Sequence, residues 1–228
     1  MSERLYVADE VSFLADACWS VQKSQSKVSA WIFDFDNTLF FSGKEIFPLI
    51  NEKMTEYIEQ NLLVDRDEAN RLRSLYWVRY GATMTGLVRH HGINARHFLK
   101  KTHDLGELRQ FVSRSSRLVT FLKRLPGKKI VFSNSPSAYL ERLLKLLEIK
   151  HFFDDTYSIE STKMSPKPAQ NGYLRLLKEH KLEASRCVMV EDSLLNLVTA
   201  RKLGMKTIWV TPHIGRPSWV DARISKLY

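Results

Sequence analysis

The 228-residue chain has little cysteine and no long apolar run. Its two cysteines, Cys18 and Cys187, lie far apart and lack the paired spacing of a disulfide framework or a structural zinc site. The apolar runs are strand-sized, well short of the roughly 18 residues that a bilayer-spanning helix needs. The N-terminus also lacks the basic and apolar pattern of a secretory signal. We therefore expect a cytoplasmic protein without a membrane segment.

Basic residues outnumber acidic ones, with 35 Lys and Arg against 25 Asp and Glu and a formal net charge of +10. An excess of this size raises the question of a polyanionic partner such as nucleic acid. The basic residues are spread along the chain, however, and do not form a cluster. This distribution favours an ordinary solvated surface or a small phosphorylated ligand over nucleic acid.

Hydrophobic periodicity divides the chain into parts of different character. Residues 1–27 carry apolar residues at helical spacing and predict an N-terminal helical extension. A buried strand follows, and then residues 42–111 show helical periodicity with almost no strand signal. Strands and helices alternate over residues 112–228, which indicates a parallel sheet. We predict an α/β, Rossmann-like core with a five-stranded sheet, formed by residues 1–41 and 112–228, and an all-α domain inserted at 42–111.

Local signals also predict the bounds of several elements. Asp65 is expected to cap the second helix of the inserted block, with Glu68 as its capping-box partner. Pro168 is expected to begin a helix, because its fixed φ suits a first turn. A short strand is expected at about residues 156–159, and a helix at residues 220–228.

Polar residues stand at the ends of the predicted strands or in the loops that follow them. They are Asp34 and Asp36, Ser133 and Asn134, Lys167, and Glu191 and Asp192. Because the carboxyl ends of parallel strands meet at one edge of a sheet, we expect these side chains to converge. Converging carboxylates repel one another unless a cation offsets their charge, and Mg²⁺ prefers such hard oxygen ligands. Taken singly, a carboxylate at a strand end is also consistent with a helix cap, and such a cap is compatible with catalysis.

In their order along the chain, these residues resemble the four motifs of the haloacid dehalogenase (HAD) superfamily. The matching positions are Asp34-Phe35-Asp36-Asn37-Thr38, Ser133, Lys167 and Glu191-Asp192-Ser193. The helical block between the first and second motifs is similar to the C1 cap of that superfamily. The resemblance covers the whole α/β body and agrees with the fold predicted from periodicity.

The resemblance implies a Mg²⁺-dependent phosphomonoester hydrolase that acts through an aspartyl-phosphate. Asp34 is then the nucleophile, and Asp36 protonates the leaving oxygen and afterwards activates water. Ser133 and Lys167 complete the implied catalytic set, binding phosphoryl oxygens and offsetting negative charge. Asn134 is expected to assist in binding phosphate.

The same resemblance implies a ligand set for Mg²⁺. Asp34, the backbone carbonyl of Asp36, and Asp192 are the implied ligands, with Glu191 binding directly or through water. Thr38 is expected either to bind phosphate or to form the local turn. The presence of Asp36 favours phosphoryl transfer, since haloacid dehalogenases lack this second aspartate.

The inserted block further resembles the cap of HAD pyrimidine 5′-nucleotidases. The resemblance rests on a Tyr-Gly, a Thr, a Gly-Leu and a following His within residues 76–93. It implies a pyrimidine nucleoside 5′-monophosphate as substrate and predicts substrate contacts from the cap. The candidates are Tyr80, Arg79, Thr83 and His90, with Trp77 and Arg89 beside them. The alternative is that the aromatic residues form the core of the cap itself.

Other functions remain compatible with the same residues. One is a HAD phosphatase for a different small ester, such as a sugar phosphate or phosphoglycolate. Another is a mutase that retains the phosphate for a second acceptor. From a different class, a weakly catalytic module could bind RNA or an acidic protein through its +10 charge. The sequence is compatible with either a monomer or a homodimer.

Overall fold

The computed structural model describes residues 28–41 and 45–227, so the extension predicted for residues 1–27 lies outside the described residues. Six strands form one parallel sheet in the order β3-β2-β1-β4-β5-β6. The strands are β1 (Ala30–Phe33), β2 (Lys128–Phe132), β3 (Asp155–Tyr157), β4 (Cys187–Glu191), β5 (Lys206–Val210) and β6 (Ala222–Ile224). The Rossmann-like α/β fold class predicted from the sequence is confirmed.

Helices fill the insertion and the connections between strands. The insertion between β1 and β2 contributes α1 (Ile46–Leu62), α2 (Arg66–Tyr80), α3 (Thr83–His91) and α4 (Ala95–Thr102). The remaining helices are α5 (Ser116–Arg124), α6 (Ser137–Leu146), α7 (Gln170–Glu179) and α8 (Leu194–Lys202). Within residues 28–41 and 45–227, no helix combines the length and the apolar content that a bilayer crossing requires.

The central strand β1 is buried on both faces, as its continuous apolar sequence predicts. Trp31 and Phe33 join the larger apolar cluster on one face, whereas Ala30 and Ile32 join the cluster on the other. Phe33 is level with Val131 of β2 and Val190 of β4. One residue further on, this register brings Asp34 to the same level as Phe132 and Glu191. The sheet therefore places the first predicted carboxylate beside the fourth-motif glutamate.

The inserted helices have an apolar cluster of their own, but its border with the sheet is shared. Tyr76, Leu87 and Phe98 belong to the helical cluster, and Ile159 from the α/β body joins them. Conversely, Ile46 in the first turn of α1 belongs to the large cluster on the sheet. The insertion is helical, as predicted, while the domain bounds 42–111 stay a prediction because the packing crosses them.

Close packing joins α2 and α3. A Cβ at Gly86 would lie 2.1 Å from Cγ of Tyr76, so the ring rests directly on the glycine.

At the start of α2, Asp65 accepts a hydrogen bond from the Glu68 amide, as predicted. The reciprocal half of the capping box is absent among the described residues, because Glu68 forms an ion pair with Arg71.

Several predicted elements need correction. The sheet has a sixth strand at Ala222–Ile224, where a helix was expected, because Ala222 and Ile224 alternate inward around Arg223 and extend the sheet beside β5. The helix expected from Pro168 begins at Gln170, after a turn in which Ala169 is extended. The strand expected at residues 156–159 is Asp155–Tyr157.

Candidate active site

The turn after β1 holds the two aspartates of the first motif. The amide of Asp34 still bonds to the carbonyl of Val190, as a strand residue does. The chain then turns, and the carbonyl of Phe35 accepts hydrogen bonds from the amides of Leu39 and Phe40, each at 2.9 Å. Asn37 adopts the left-handed conformation (φ 60°) that asparagine tolerates well. The turn thus ends the strand and leaves the two carboxylates two residues apart.

Lys167 is the charged centre of the site and is almost fully buried. Its Nζ donates hydrogen bonds to Asp34 Oδ1 at 2.6 Å, Glu191 Oε2 at 2.7 Å and the Phe132 carbonyl at 2.9 Å. These are the three positions that the sheet register makes level. An ammonium group has three hydrogens, so Lys167 is fully paired and ties the first, second and fourth strands of the chain together.

The site carries more negative than positive charge. Burial, followed by repulsion from Glu191, raises the pKa of Asp34 to about 7, although Lys167 opposes the rise. Burial likewise raises the pKa of Glu191 to about 7. Burial alone would lower the pKa of Lys167, but the charges of Asp34 and Glu191 outweigh it and raise that pKa. Lys167 therefore stays protonated, and the carboxylates are the groups that lack sufficient counter-charge.

The donor set fits a hard divalent cation. Carboxylate oxygens of Asp34, Glu191 and Asp192 all lie within 4.8 Å of one another. Burial and the charge of Asp34 raise the pKa of Asp192 as well, while Asn37 hydrogen-bonds its side chain. With Asp36 included, the charge of Lys167 acts on four carboxyl groups of the described site. Clustered oxygen ligands with excess negative charge are the donors that Mg²⁺ accepts.

The loop from β2 to α6 sends successive residues to different partners. The Ser133 hydroxyl is buried at the end of β2 and accepts a hydrogen bond from the Ser135 amide at 3.0 Å. Asn134 was expected to bind phosphate, but its amide bonds to both the N–H (2.7 Å) and the carbonyl (3.0 Å) of Lys167. Asn134 therefore holds the loop that carries Lys167. That Asn134 also binds phosphate stays a prediction.

Asp36 is anchored by two hydroxyl groups that sequence reasoning missed. Ser135 Oγ donates to its Oδ2 at 2.7 Å, and the Tyr139 hydroxyl donates to its Oδ1 at 3.2 Å. Burial, then repulsion from Asp34, raises the pKa of Asp36 to about 7. A carboxyl with a pKa near neutrality suits a group that must give and take a proton. The only sequence signal was a Ser and a Tyr close behind Ser133.

The remaining core candidate, Thr38, is fully buried, and its hydroxyl is an unpaired polar atom among the described residues. The Thr38 amide lies in the turn, 3.3 Å from the Phe35 carbonyl. The structure thus brings together Asp34, Asp36, Ser133, Lys167, Glu191 and Asp192, and it gives Thr38 a place in the turn.

The cap candidates divide into a surface group and a buried residue. The Tyr80 hydroxyl is 2.6 Å from His90 Nε2, and the Arg79 and Arg89 guanidinium groups lie 5.5 and 5.7 Å from the Tyr80 ring centre. Thr83 is instead buried and donates its hydroxyl to the Arg73 carbonyl at 2.9 Å. Trp77 is exposed and lies outside the helical apolar cluster. We call Tyr80, His90, Arg79 and Arg89 the cap cluster.

Gly81 connects the cap cluster to the loop that carries Lys167. A Cβ at this position would lie 2.7 Å from Pro168 Cδ and 2.9 Å from the Lys167 carbonyl oxygen. The residue also has φ +77°, which favours glycine. The corner between α2 and α3 therefore rests on the backbone of Lys167, and Tyr80 precedes that corner directly.

A parallel α/β sheet with paired carboxylates and a buried lysine at one edge, below a helical insertion, defines a class of hydrolase. A family model described as haloacid dehalogenase-like hydrolase matches residues 31–210. This match covers most of the chain, and the chain therefore belongs to that family. The superfamily resemblance read from the four motifs is confirmed.

Individual relatives are more distant. The chain is 27% identical over 141 residues to phosphate metabolism protein 8 of Saccharomyces cerevisiae, covering 54% of this chain and 41% of the relative. It is 30% identical over 93 residues to fructose-1-phosphate phosphatase YqaB of Escherichia coli, covering 40% of this chain and 49% of that protein. The chain thus spans less than half the length of these relatives.

Solved structures share the fold over nearly the full chain. The HAD phosphatase of Thermococcus onnurineus superposes with a TM-score of 0.60 at 21% identity, covering 88% of this chain and 94% of that one. Magnesium-bound YfnB of Bacillus subtilis gives a TM-score of 0.56 at 13% identity, covering 89% and 96%. At these identities the likeness establishes the fold.

Proposed function

We propose that this protein is a Mg²⁺-dependent phosphomonoester hydrolase that forms an aspartyl-phosphate on Asp34. The observation that carries the proposal is the buried network in which Lys167 bonds to Asp34 and Glu191, with Asp192 grouped beside them. Asp36, two residues from the nucleophile, supplies the second carboxyl that phosphoryl transfer needs. Family membership and the relative named as a phosphatase support the same chemistry.

In the first proposed step, Asp34 attacks phosphorus and the bond from phosphorus to the leaving oxygen breaks. Asp36 donates its proton to that oxygen, releasing an alcohol. In the second step, water attacks the phosphorus and gives a proton to Asp36. The bond to Asp34 then breaks, which frees inorganic phosphate and restores both carboxyl groups.

Other groups of the site hold charge and geometry. Ser133 is fixed by the Ser135 amide and offers its hydroxyl hydrogen to a phosphoryl oxygen. Lys167 offsets negative charge on Asp34 and on the transferred group. Asp34, Asp192, Glu191 and the backbone carbonyl of Asp36 are the groups that would hold Mg²⁺. When bound, the cation supplies the charge compensation that lets an anionic nucleophile approach an anionic ester.

For the substrate we propose a small phosphorylated metabolite, specifically a pyrimidine nucleoside 5′-monophosphate, with the cytoplasm as the setting. The nucleotide proposal rests on the cap sequence around Tyr80 and on the cap cluster. Stacking surfaces and hydrogen-bonding edges of Tyr80 and His90 suit a nucleobase. Because Thr83 is committed to the backbone of α2, the proposal relies on Tyr80, His90 and Arg79.

A sugar phosphate is the second candidate, and the similarity to fructose-1-phosphate phosphatase YqaB favours it. Both candidates use the same core site and differ in the group that meets the cap. The cap cluster provides cation and hydroxyl donors that a sugar could also use.

A phosphate-release screen tests the proposal. Purified protein with Mg²⁺ should release phosphate from UMP or CMP faster than from fructose 1-phosphate or phosphoglycolate. Asp34→Asn should lower turnover by about 10³-fold or more, because the nucleophile is lost. Asp67→Asn, an exposed aspartate on α2, is the matched control and should leave turnover unchanged. An active Asp34→Asn enzyme contradicts the mechanism, whereas activity confined to sugar phosphates contradicts the nucleotide assignment alone.

A further inference from the structure

We propose that Ser135 and Tyr139 are positioning residues that hold the Asp36 carboxyl in the orientation needed to protonate the leaving group. The inference rests on the proposed function, because it assigns to Asp36 the acid and base role. It adds two residues that neither the four motifs nor the cap resemblance includes.

Both oxygens of the Asp36 carboxyl have a hydroxyl donor. Ser135 approaches Oδ2 from the loop, and Tyr139 approaches Oδ1 from the first turn of α6. One hydrogen bond restrains a carboxylate at one oxygen, but two bonds on different oxygens restrain the plane of the group as well. Proton transfer depends on the orientation of that plane. Ser135 and Tyr139 together therefore set the orientation of the Asp36 carboxyl group.

Tyr139 is itself held from two sides. Its ring meets Phe35, the neighbour of Asp36, edge to face at 6.5 Å, and it meets His103 in the same way at 5.5 Å. Tyr139 is nearly fully buried, so its hydroxyl has little freedom to leave Asp36. The ring contacts therefore fix the direction from which Oδ1 is approached.

His103 brings an uncharged ring to this arrangement. It follows the last turn of α4, and its Nδ1 lies 3.2 Å from the Leu99 carbonyl and 3.0 Å from the Thr102 hydroxyl. Burial lowers the pKa of His103 to about 4, so the ring is neutral at physiological pH. The charge of Glu160 opposes this fall in the pKa of His103 but is outweighed by burial. Tyr139 thus packs between His103 at the end of α4 and Asp36.

One continuous segment, the loop from β2 to α6 and the first turn of α6, carries the whole arrangement. Ser133 is placed for the phosphoryl group, Asn134 binds the backbone of Lys167, and Ser135 and Tyr139 bind Asp36. The residue that holds the backbone of Lys167 and the residues that hold Asp36 therefore belong to one backbone segment. This placement explains why two further hydroxyl residues follow the second-motif serine.

Leaving-group dependence separates positioning from a merely structural role. Benzyl phosphate releases a poor leaving alkoxide that needs a proton, whereas p-nitrophenyl phosphate releases a stable phenolate that needs little help. The Ser135→Ala/Tyr139→Phe double variant should lower kcat/KM for benzyl phosphate by about 10²-fold, the low end for general acid catalysis. For p-nitrophenyl phosphate the loss should stay within about 3-fold, since the acid contributes less there. Each single variant should show a smaller loss with the same selectivity.

The controls use the same chemical changes away from the site. Tyr57→Phe removes a hydroxyl that bonds to His97 in the cap, and Ser185→Ala removes one that bonds to Glu183 on the surface. Neither should alter the ratio of the two kcat/KM values. Ser135→Thr keeps a hydroxyl and should retain most of the wild-type ratio. If the double variant does not fold, Tyr139→Phe, which removes one oxygen atom, decides the question.

Equal losses on both esters, or no loss on either, would overturn the positioning role. Failure of the proposed function looks different, because then the wild-type protein with Mg²⁺ would release phosphate from neither ester nor from any ester of the screen. A wild-type enzyme that hydrolyses both esters while the variants keep its ratio contradicts the positioning role alone.

Discussion

The core site and the cap cluster use polar side chains in opposite surroundings. Lys167, Asp34 and Glu191 are buried, and each charge meets its partner at 2.6 or 2.7 Å. In the cap cluster, His90 and the arginines are exposed, and within the described chain neither Arg79 nor Arg89 has a carboxylate partner. Removal of one charge from a buried ion pair carries a large energetic cost, because its partner stays buried and unpaired. Removal of an exposed charge costs little. Under the proposed function, the difference corresponds to a core site that tolerates little change and a cap surface whose side chains can vary.

Removal of the buried ammonium group of Lys167 should have the largest effect on stability. Lys167→Met keeps an unbranched side chain one atom shorter than that of lysine, and it leaves Asp34 and Glu191 buried and unpaired. Breaking a buried ion network costs about 3–5 kcal/mol of unfolding free energy, which urea titration in EDTA measures. Lys150→Met, which removes an exposed pair with Glu141, should cost about 1 kcal/mol or less. Equal losses for the two variants would abolish the proposed contrast between buried and exposed charge.

Mg²⁺ should compensate the core charges in a pH-dependent way. The folded pKa values of Asp34 and Glu191 lie near 7, above their usual values of about 4. Their protonation stabilises the metal-free fold fully below about pH 4, and this contribution is lost as the pH rises to about 7. Lys167, whose pKa is raised, stays charged throughout this range.

The melting temperature tests this expectation. Mg²⁺ at about 100 times its Kd should raise Tm by about 5–10 °C at pH 8 and by clearly less at pH 5.5, where protons compete for the carboxylates. NaCl at matched ionic strength is the control at each pH. An equal rise at both pH values would show that these carboxylates do not hold the ion.

Packing within the cap should affect stability without affecting the chemistry. Gly86→Ala forces a methyl group to within 2.1 Å of the Tyr76 ring and should cost about 1–3 kcal/mol by overpacking. Gly215→Ala adds the same group where no atom lies within 4 Å and should change stability by less than about 0.5 kcal/mol. Urea unfolding measures both. Turnover of p-nitrophenyl phosphate should persist in Gly86→Ala, and its loss would mean that cap and core are not separable.

The smallest expected effect belongs to the cap cluster. Tyr80→Phe removes the hydroxyl that meets His90 and should raise KM for UMP or CMP about 2- to 5-fold, the worth of one exposed hydrogen bond. The value of kcat should stay within about 2-fold, because the core site is untouched. Tyr57→Phe is the matched control. A 10-fold fall in kcat would instead give Tyr80 a part in the chemistry.

Sequence reasoning located the core site because its residues follow buried strands. Asp34 and Glu191 needed only strand order and the shared edge of a parallel sheet to be brought together. Lys167 lies in the loop after β3, and only the order of the four motifs singled it out. The sixth strand was not predicted, because Ala222–Ile224 is three residues long and has an arginine at its centre. Its place depends on pairing with β5, which no local signal reports.

Side-chain roles that depend on tertiary contacts were harder to predict. The Thr83 hydroxyl turns to the backbone of α2, and the Asn134 amide turns to Lys167, although both residues stand beside matching motifs. Tyr139 reaches Asp36 only because α6 begins where it does. Sequence patterns therefore predicted which backbone positions lie at the site. They did not predict the hydrogen-bond partners of the hydroxyl and amide groups, because those partners depend on tertiary packing.

The contact at Gly81 limits how the molecule can be rebuilt. The corner of the cap lies on the Lys167–Pro168 backbone with no room for a side chain. A cap transplanted from another member of the family would have to bring a glycine at that corner, or it would press on the segment that carries the lysine. New substrate ranges are therefore better sought by exchanging side chains within the cap than by exchanging the cap as a module.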